Sequence, residues 1–187
     1  MEPKQQALCL KRQLKPYQMY LLYFFLYAMI GWIMETIYAA LVLGGFHKRG
    51  FLLGPICPLY GFGALMLITF LGKYREDKTK TFLFAGILFS VFEYITGYAL
   101  DALFKLKFWD YTNDFLNLNG RISILYSVAW GVIAILFLNY LHPHVEKKVN
   151  SALTKIPYKI QISLIALLST LFLVDLVFSC IKYLTLS

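Results

Sequence analysis

Hydrophobic residues in this chain gather into five long runs separated by short polar breaks, at roughly 17–43, 51–71, 81–104, 122–141 and 160–184. Each run approaches or exceeds the ~20 residues that a helix needs to cross the hydrocarbon of a bilayer. Every break carries Lys or Arg, often with Gly, Pro or Asn. The pattern predicts an all-α, polytopic membrane helix bundle of about five transmembrane helices, forming a single membrane domain over 1–187. The second run differs from the others, because Gly54, Pro55, Pro58, Gly61 and Gly63 crowd its opening. An irregular Gly/Pro-rich outer loop is expected there. A shorter stretch, 145–158, spaces Val145, Val149, Ala152 or Leu153, and Ile156 at helical intervals with Glu146, Lys147, Lys148 and Lys155 between them. It reads as an amphipathic helix at the membrane surface.

Composition agrees with the pattern. The 187 residues are 59% hydrophobic and only 15% charged, whereas a soluble domain carries ~25% charged residues. The net charge of +8 does not point to nucleic acid, because the basic residues sit between apolar spans. Their distribution sets topology instead. Twelve Lys and Arg fall in the N-terminal segment (Lys4, Lys11, Arg12 and Lys15) and in the second and fourth loops. Six fall in the alternate loops and at the C-terminus. With five crossings, this bias places the N-terminus in the cytoplasm. No cleavable leader is expected, so the first run is read as a retained helix. Cys9, Cys57 and Cys180 are too scattered for a disulfide framework or a zinc site. There is no phosphate-binding G-x-x-x-x-G-K-[ST] loop, so ATP-driven work would need a separate subunit. No cofactor, metal or catalytic residue is expected.

The candidate chemistry lies in the outer half. Glu35, Glu93 and Asp175 interrupt apolar runs, and carboxylates at membrane depth usually face the protein interior and mark a pair or a function. At a rise of ~1.5 Å per residue, they lie about 12, 16 and 14 Å from the outer ends of their runs. Asp101 lies nearer the edge. Glu93, Gly97 and Asp101 share one broad helix face. Trp32 and Tyr38 are expected to flank Glu35. Arg49 and Arg121 bound the two outer loops, 44–63 and 105–121, and are the expected counter-charges. Two readings stand side by side: ion pairs that staple the loops to the spans, or a polar pocket open to the outside that binds a polar or zwitterionic solute or carries protons through a buried carboxylate. In the second, Glu35, Glu93 and Asp101 supply negative charge and Arg49 and Arg121 positive charge. Tyr60, Trp109, Asp110, Tyr111 and Asn117 shape the mouth. His142-Pro143-His144 is read as a helix end broken by proline. Ser123 and Ser127 are read as interhelical hydrogen-bonding groups.

Several motifs together carry a family resemblance. They are G-W-x-x-E at 31–35, K-R-G-F-L-x-G-P-x-x-P-x-Y-G-x-G at 48–63, E-Y at 93–94, W-D-Y and N-x-x-G-R-I within 109–122, and W-G at 130–131. Over roughly 20–142 the chain resembles a family of small bacterial membrane proteins, the putative ABC-transporter type IV, a permease-like class. The resemblance implies a multi-pass protein of the bacterial cytoplasmic (inner) membrane. It also implies the bilayer and, beyond it, a cytoplasmic ATPase or another membrane subunit as candidate partners. The E-A-A…G coupling motif of many importer permeases is not present, leaving 145–158 as the candidate docking element. The leading expectation is a transporter with an outward-facing polar pocket. The alternatives are a membrane-embedded enzyme acting on lipid or envelope substrates, and a sensor or assembly subunit that meets another protein through small-residue faces around Gly86, Gly97 and Gly131.

Overall fold

The computed structural model describes residues 14–186; Lys4, Cys9, Lys11 and Arg12 lie outside them. The described chain is all-α apart from one two-stranded hairpin. Four helices are long and apolar enough to cross a membrane: Pro16–Leu43, Lys78–Phe104, Ile124–Leu153 and Tyr158–Thr185. Only 11–22% of each apolar window is buried within the protein. So much exposed Leu, Ile, Val and Phe is what lipid, not water, requires of a surface. The chain is therefore a multi-pass membrane protein.

Helix α1 (Pro16–Leu43) opens with proline in the first turn, where the missing N–H costs nothing. The Lys15 N–H donates to Gln18 Oε1 at 2.8 Å. The helix closes on Gly44, whose φ of 73° is the left-handed cap that glycine accepts freely. The second apolar run makes only a short helix, α2 (Pro58–Met66), extended by a π-helical turn, Leu67–Leu71. Residues 51–57 are irregular. Pro55 and Pro58 remove two helical donors there, so the helix begins at the second proline. This irregular stretch is partly buried against α1, while Leu53 and Pro55 stay exposed. Leu52 is fully buried, and the Cys57 N–H donates to the Ala28 carbonyl, midway along α1, at 3.0 Å.

Helix α3 (Lys78–Phe104) starts at Asp77, whose side chain accepts from the Lys80 N–H at 3.0 Å. The connector 105–121 leads into the hairpin β1 (Asn117–Leu118) and β2 (Ile122–Ser123). Asn119 and Gly120 turn it with positive φ, 55° and 67°, the Asn-Gly signature of a tight hairpin turn. Helix α4 (Ile124–Leu136), a π turn (Phe137–Leu141) and α5 (His142–Leu153) follow without interruption. Pro143 therefore does not end the helix, contrary to the sequence expectation. A proline at this place withdraws a donor and crowds the carbonyl four residues back. The wider π turn immediately before it shifts the hydrogen-bond register, which lets the helix continue. Helix α6 (Tyr158–Leu186) begins after Pro157. Buried Gln161 donates to the Leu153 and Ile156 carbonyls, both at 2.7 Å, and so satisfies the end of α5 and the turn after it.

The chain forms two compact units, one of Met1–Phe62 with Glu146–Leu176, the other of Gly63–Val145 with Val177–Ser187. In the first, Phe24 packs edge-on against Phe25 and Phe172, with ring centres 5.3 and 5.4 Å away. In the second, α3 and α4 pack closely at small residues. A Cβ on Gly131 would lie 2.6 Å from the Phe82 ring, and one on Gly86 3.1 Å from the Ser127 carbonyl. Ser90 and Ser127 hydroxyls bond between the helices at 2.6 Å, and Phe89 stacks on Trp130. The small-residue faces that the sequence offered to a partner protein are thus covered by this chain's own helices at Gly86 and Gly131.

Candidate functional site

Within the first unit, three of the expected residues meet. The Tyr60 hydroxyl donates to Glu35 Oε1 at 2.5 Å, and the Arg49 guanidinium lies 3.4 Å from Oε2. Gly31 makes this possible, because a Cβ there would overlap the Tyr60 ring. One helical turn further on, Glu35 receives the hydroxyl of the same tyrosine. The G-x-x-x-E spacing in α1 is thus a seat for one side chain of the following segment. Tyr38, expected to flank Glu35, is exposed; the tyrosine that reaches it comes from α2. About a third of the Glu35 and Arg49 side-chain surface remains exposed, 30% and 34%.

Asp175 finds a partner type that the sequence did not suggest. Its two carboxylate oxygens accept the Leu53 and Gly54 backbone N–H groups at 2.8 and 2.9 Å. A Cβ on Gly54 would lie 3.0 Å from Oδ2, so the bare backbone is what admits the carboxylate. Backbone donors have no letter of their own. The legible signal was an aspartate within an apolar run with no matching arginine, in a chain that also carries a Gly/Pro-rich segment.

The second unit holds the other seven. Asp101 and Arg121 form an ion pair at 2.8 Å. The guanidinium also lies over the rings of Tyr94 and Tyr98, at 5.7 and 5.5 Å. Gly97 leaves room for it: Trp109 and the Arg121 stem would lie 3.3 and 3.5 Å from a Cβ there. The Trp109 indole donates to the Arg121 carbonyl at 3.0 Å, and Asn119 donates to the Tyr94 hydroxyl at 2.9 Å. Tyr98 escaped the sequence reading and Tyr94 entered it only within the E-Y motif, although with Asp101 they recur on the face that already held Gly97. Asn117 is committed to the connector itself. It donates to the Thr112 and Asp114 carbonyls and accepts from the Gly120 N–H at 3.1 Å. Asp110 accepts from the Thr112 N–H and hydroxyl and pairs with Lys107 at 3.7 Å. Chiefly the Thr112 bonds hold its carboxyl below the usual range. Between Asp101, Trp109, Asn119 and Arg121 lies a recess of about 10 Å³, enough for one water.

Glu93 stands apart from these pairs. It is 4% exposed. The Tyr111 hydroxyl donates to it at 3.3 Å, and Tyr111 stacks on Tyr126 with ring centres 4.2 Å apart. Burial, then the nearby Glu93, pushes the Tyr111 phenol well above its ordinary range, so it remains a donor. The buried Trp130 indole N–H also approaches the Glu93 carboxyl, without well-formed hydrogen-bond geometry.

His142 and His144 are placed locally. The His142 ring stacks on Phe137, and His144 Nδ1 lies 2.6 Å from the Tyr140 carbonyl. Among the described residues no three His, Cys, Asp or Glu converge as a metal site.

Fold and site together define a class: a multi-pass, all-α membrane protein whose intramembrane carboxylates are met by the segments joining its helices. The chain belongs to the family described as putative ABC-transporter type IV, whose model matches residues 22–180. No curated protein and no solved structure matches it.

Proposed function

We propose that this chain is a permease-like component of a bacterial inner-membrane transport system that handles a polar or zwitterionic solute on the non-cytoplasmic side. One observation carries the reading. Carboxylates in the spanning helices are each engaged by a connector residue: Glu35 by Arg49 (with Tyr60 of α2), Asp101 by Arg121, Glu93 by Tyr111. Such residues are costly in hydrocarbon and mark solute or ion paths. A zwitterion brings both charges and can exchange with either partly exposed ion pair without leaving one of its charges unmatched. Trp109, Asp110 and Asn117 hold the second connector in shape around its pair. Lacking a nucleotide loop, the chain would draw energy from an ATP-hydrolysing subunit, for which the polar face of α5 is the candidate contact.

Thermal unfolding in lipid vesicles tests this with a panel of amino acids, betaines and organic anions. Expected is a solute that stabilises the native chain and stabilises Arg121→Ala and Glu93→Gln at least tenfold less effectively. Equal responses in all three proteins, or none in the native chain across the panel, contradict the reading.

A further inference from the structure

Among the described residues Glu93 is the one acidic side chain that is buried. Eleven residues before Phe104, it lies about 16 Å from the end of α3 at ~1.5 Å per residue. The other intramembrane carboxylates have strong partners: arginines for Glu35 and Asp101, two backbone amides for Asp175. Glu93 forms no ion pair with any described Lys, Arg or His. From the connector it faces the Tyr111 phenol, and from α4 the Trp130 indole. Behind Tyr111 stand Tyr126 and the charge of Asp114. The nearby Ser90 and Ser127 hydroxyls are committed to one another.

These neighbours supply dipoles and no positive charge. An unpaired buried carboxylate costs several kcal/mol, whereas the neutral acid is cheap to bury. A hard cation such as Ca²⁺ or Mg²⁺ would need about six oxygen ligands, and Zn²⁺ about four ligands. The carboxyl and one phenol do not provide them, and no acidic or histidine cluster adds more. A proton needs only the carboxyl.

We infer that Glu93 and Tyr111 form a proton-binding site: the Glu93 acid, capped by the Tyr111 hydroxyl of the 105–121 connector, holds a proton that it can pass to water. The O–H bond of the acid breaks, water accepts the proton, and a carboxylate is left; the reverse step reloads it. The role of this site rests on the transport reading, but its chemistry does not, and no solute is needed to examine it.

Infrared difference spectroscopy of the full chain in lipid vesicles is the test. At neutral pH the native protein should show a protonated-carboxyl carbonyl band, missing from Glu93→Gln. Tyr111→Phe keeps the carboxyl and removes the bond, so the band should move to higher frequency. Identical acid-region spectra for the native chain and a folded Glu93→Gln overturn the inference. Should Glu93→Gln not fold, an unshifted band in Tyr111→Phe overturns it equally. An acid band with no solute response counts against transport alone; a solute response with no acid band counts against the proton site alone.

Discussion

Gly31 makes room for a neighbour's ring, and one turn later Glu35 takes that neighbour's hydroxyl. Gly31→Ala should therefore destabilise by about 1–3 kcal/mol, the usual cost of overfilling a packed site. In a Tyr60→Ala background the same change should cost much less, because the clashing ring has gone. Thermal unfolding of the four proteins in detergent gives the comparison, and equal costs in both backgrounds would show that Tyr60 is not the obstacle. Asp175→Ala strands the Leu53 and Gly54 amides and should cost about 1–3 kcal/mol by the same measurement. Asp175→Asn, which keeps one acceptor, should cost less. At this scale the sequence was legible where a partner has a charge of its own. Two arginines bound the outer loops, and each takes a carboxylate in its own unit. It was not legible where the partner is backbone, as for Asp175. Nor was it where an aromatic ring lies under a cation, as Tyr94 and Tyr98 do beneath Arg121.

Helices were legible because a lipid-facing helix is apolar on nearly all sides, and length alone then gives its ends to within a few residues. The exceptions have local causes. Residues 51–57 are as apolar as a span, yet Pro55 and Pro58 deny them a helix. Pro143 looked like a stop, yet a π turn absorbs it. The hairpin at 117–123 was signalled by Asn119-Gly120 but is too short for a periodic pattern. The pairing of α3 with α4 depends on two glycines. Gly131→Leu should push Phe82 away, separate the helices and lower the yield of folded protein, whereas Val132→Leu, on the exposed side, should leave it unchanged. Size-exclusion profiles of the two variants decide the point. Equal, monodisperse profiles would mean that the glycine contact is dispensable.

For the whole molecule, the charge count in alternate loops predicts that the Arg49 and Arg121 loops face outward and the Lys148 segment faces the cytoplasm. In intact cells a membrane-impermeant thiol reagent should label His47→Cys and Asn113→Cys, and should label Lys148→Cys only after lysis. The reverse pattern would turn the protein over and place its carboxylate partners inside. That bears directly on the transport account, because solute must reach the groups from the side they face. The most direct test is the distribution of small polar metabolites across the membrane of cells lacking the chain. The native protein should restore that distribution. A variant carrying both Glu93→Gln and Arg121→Ala, present in the membrane at the native level, should not. Full restoration by that variant would contradict the claim that these side chains carry the function.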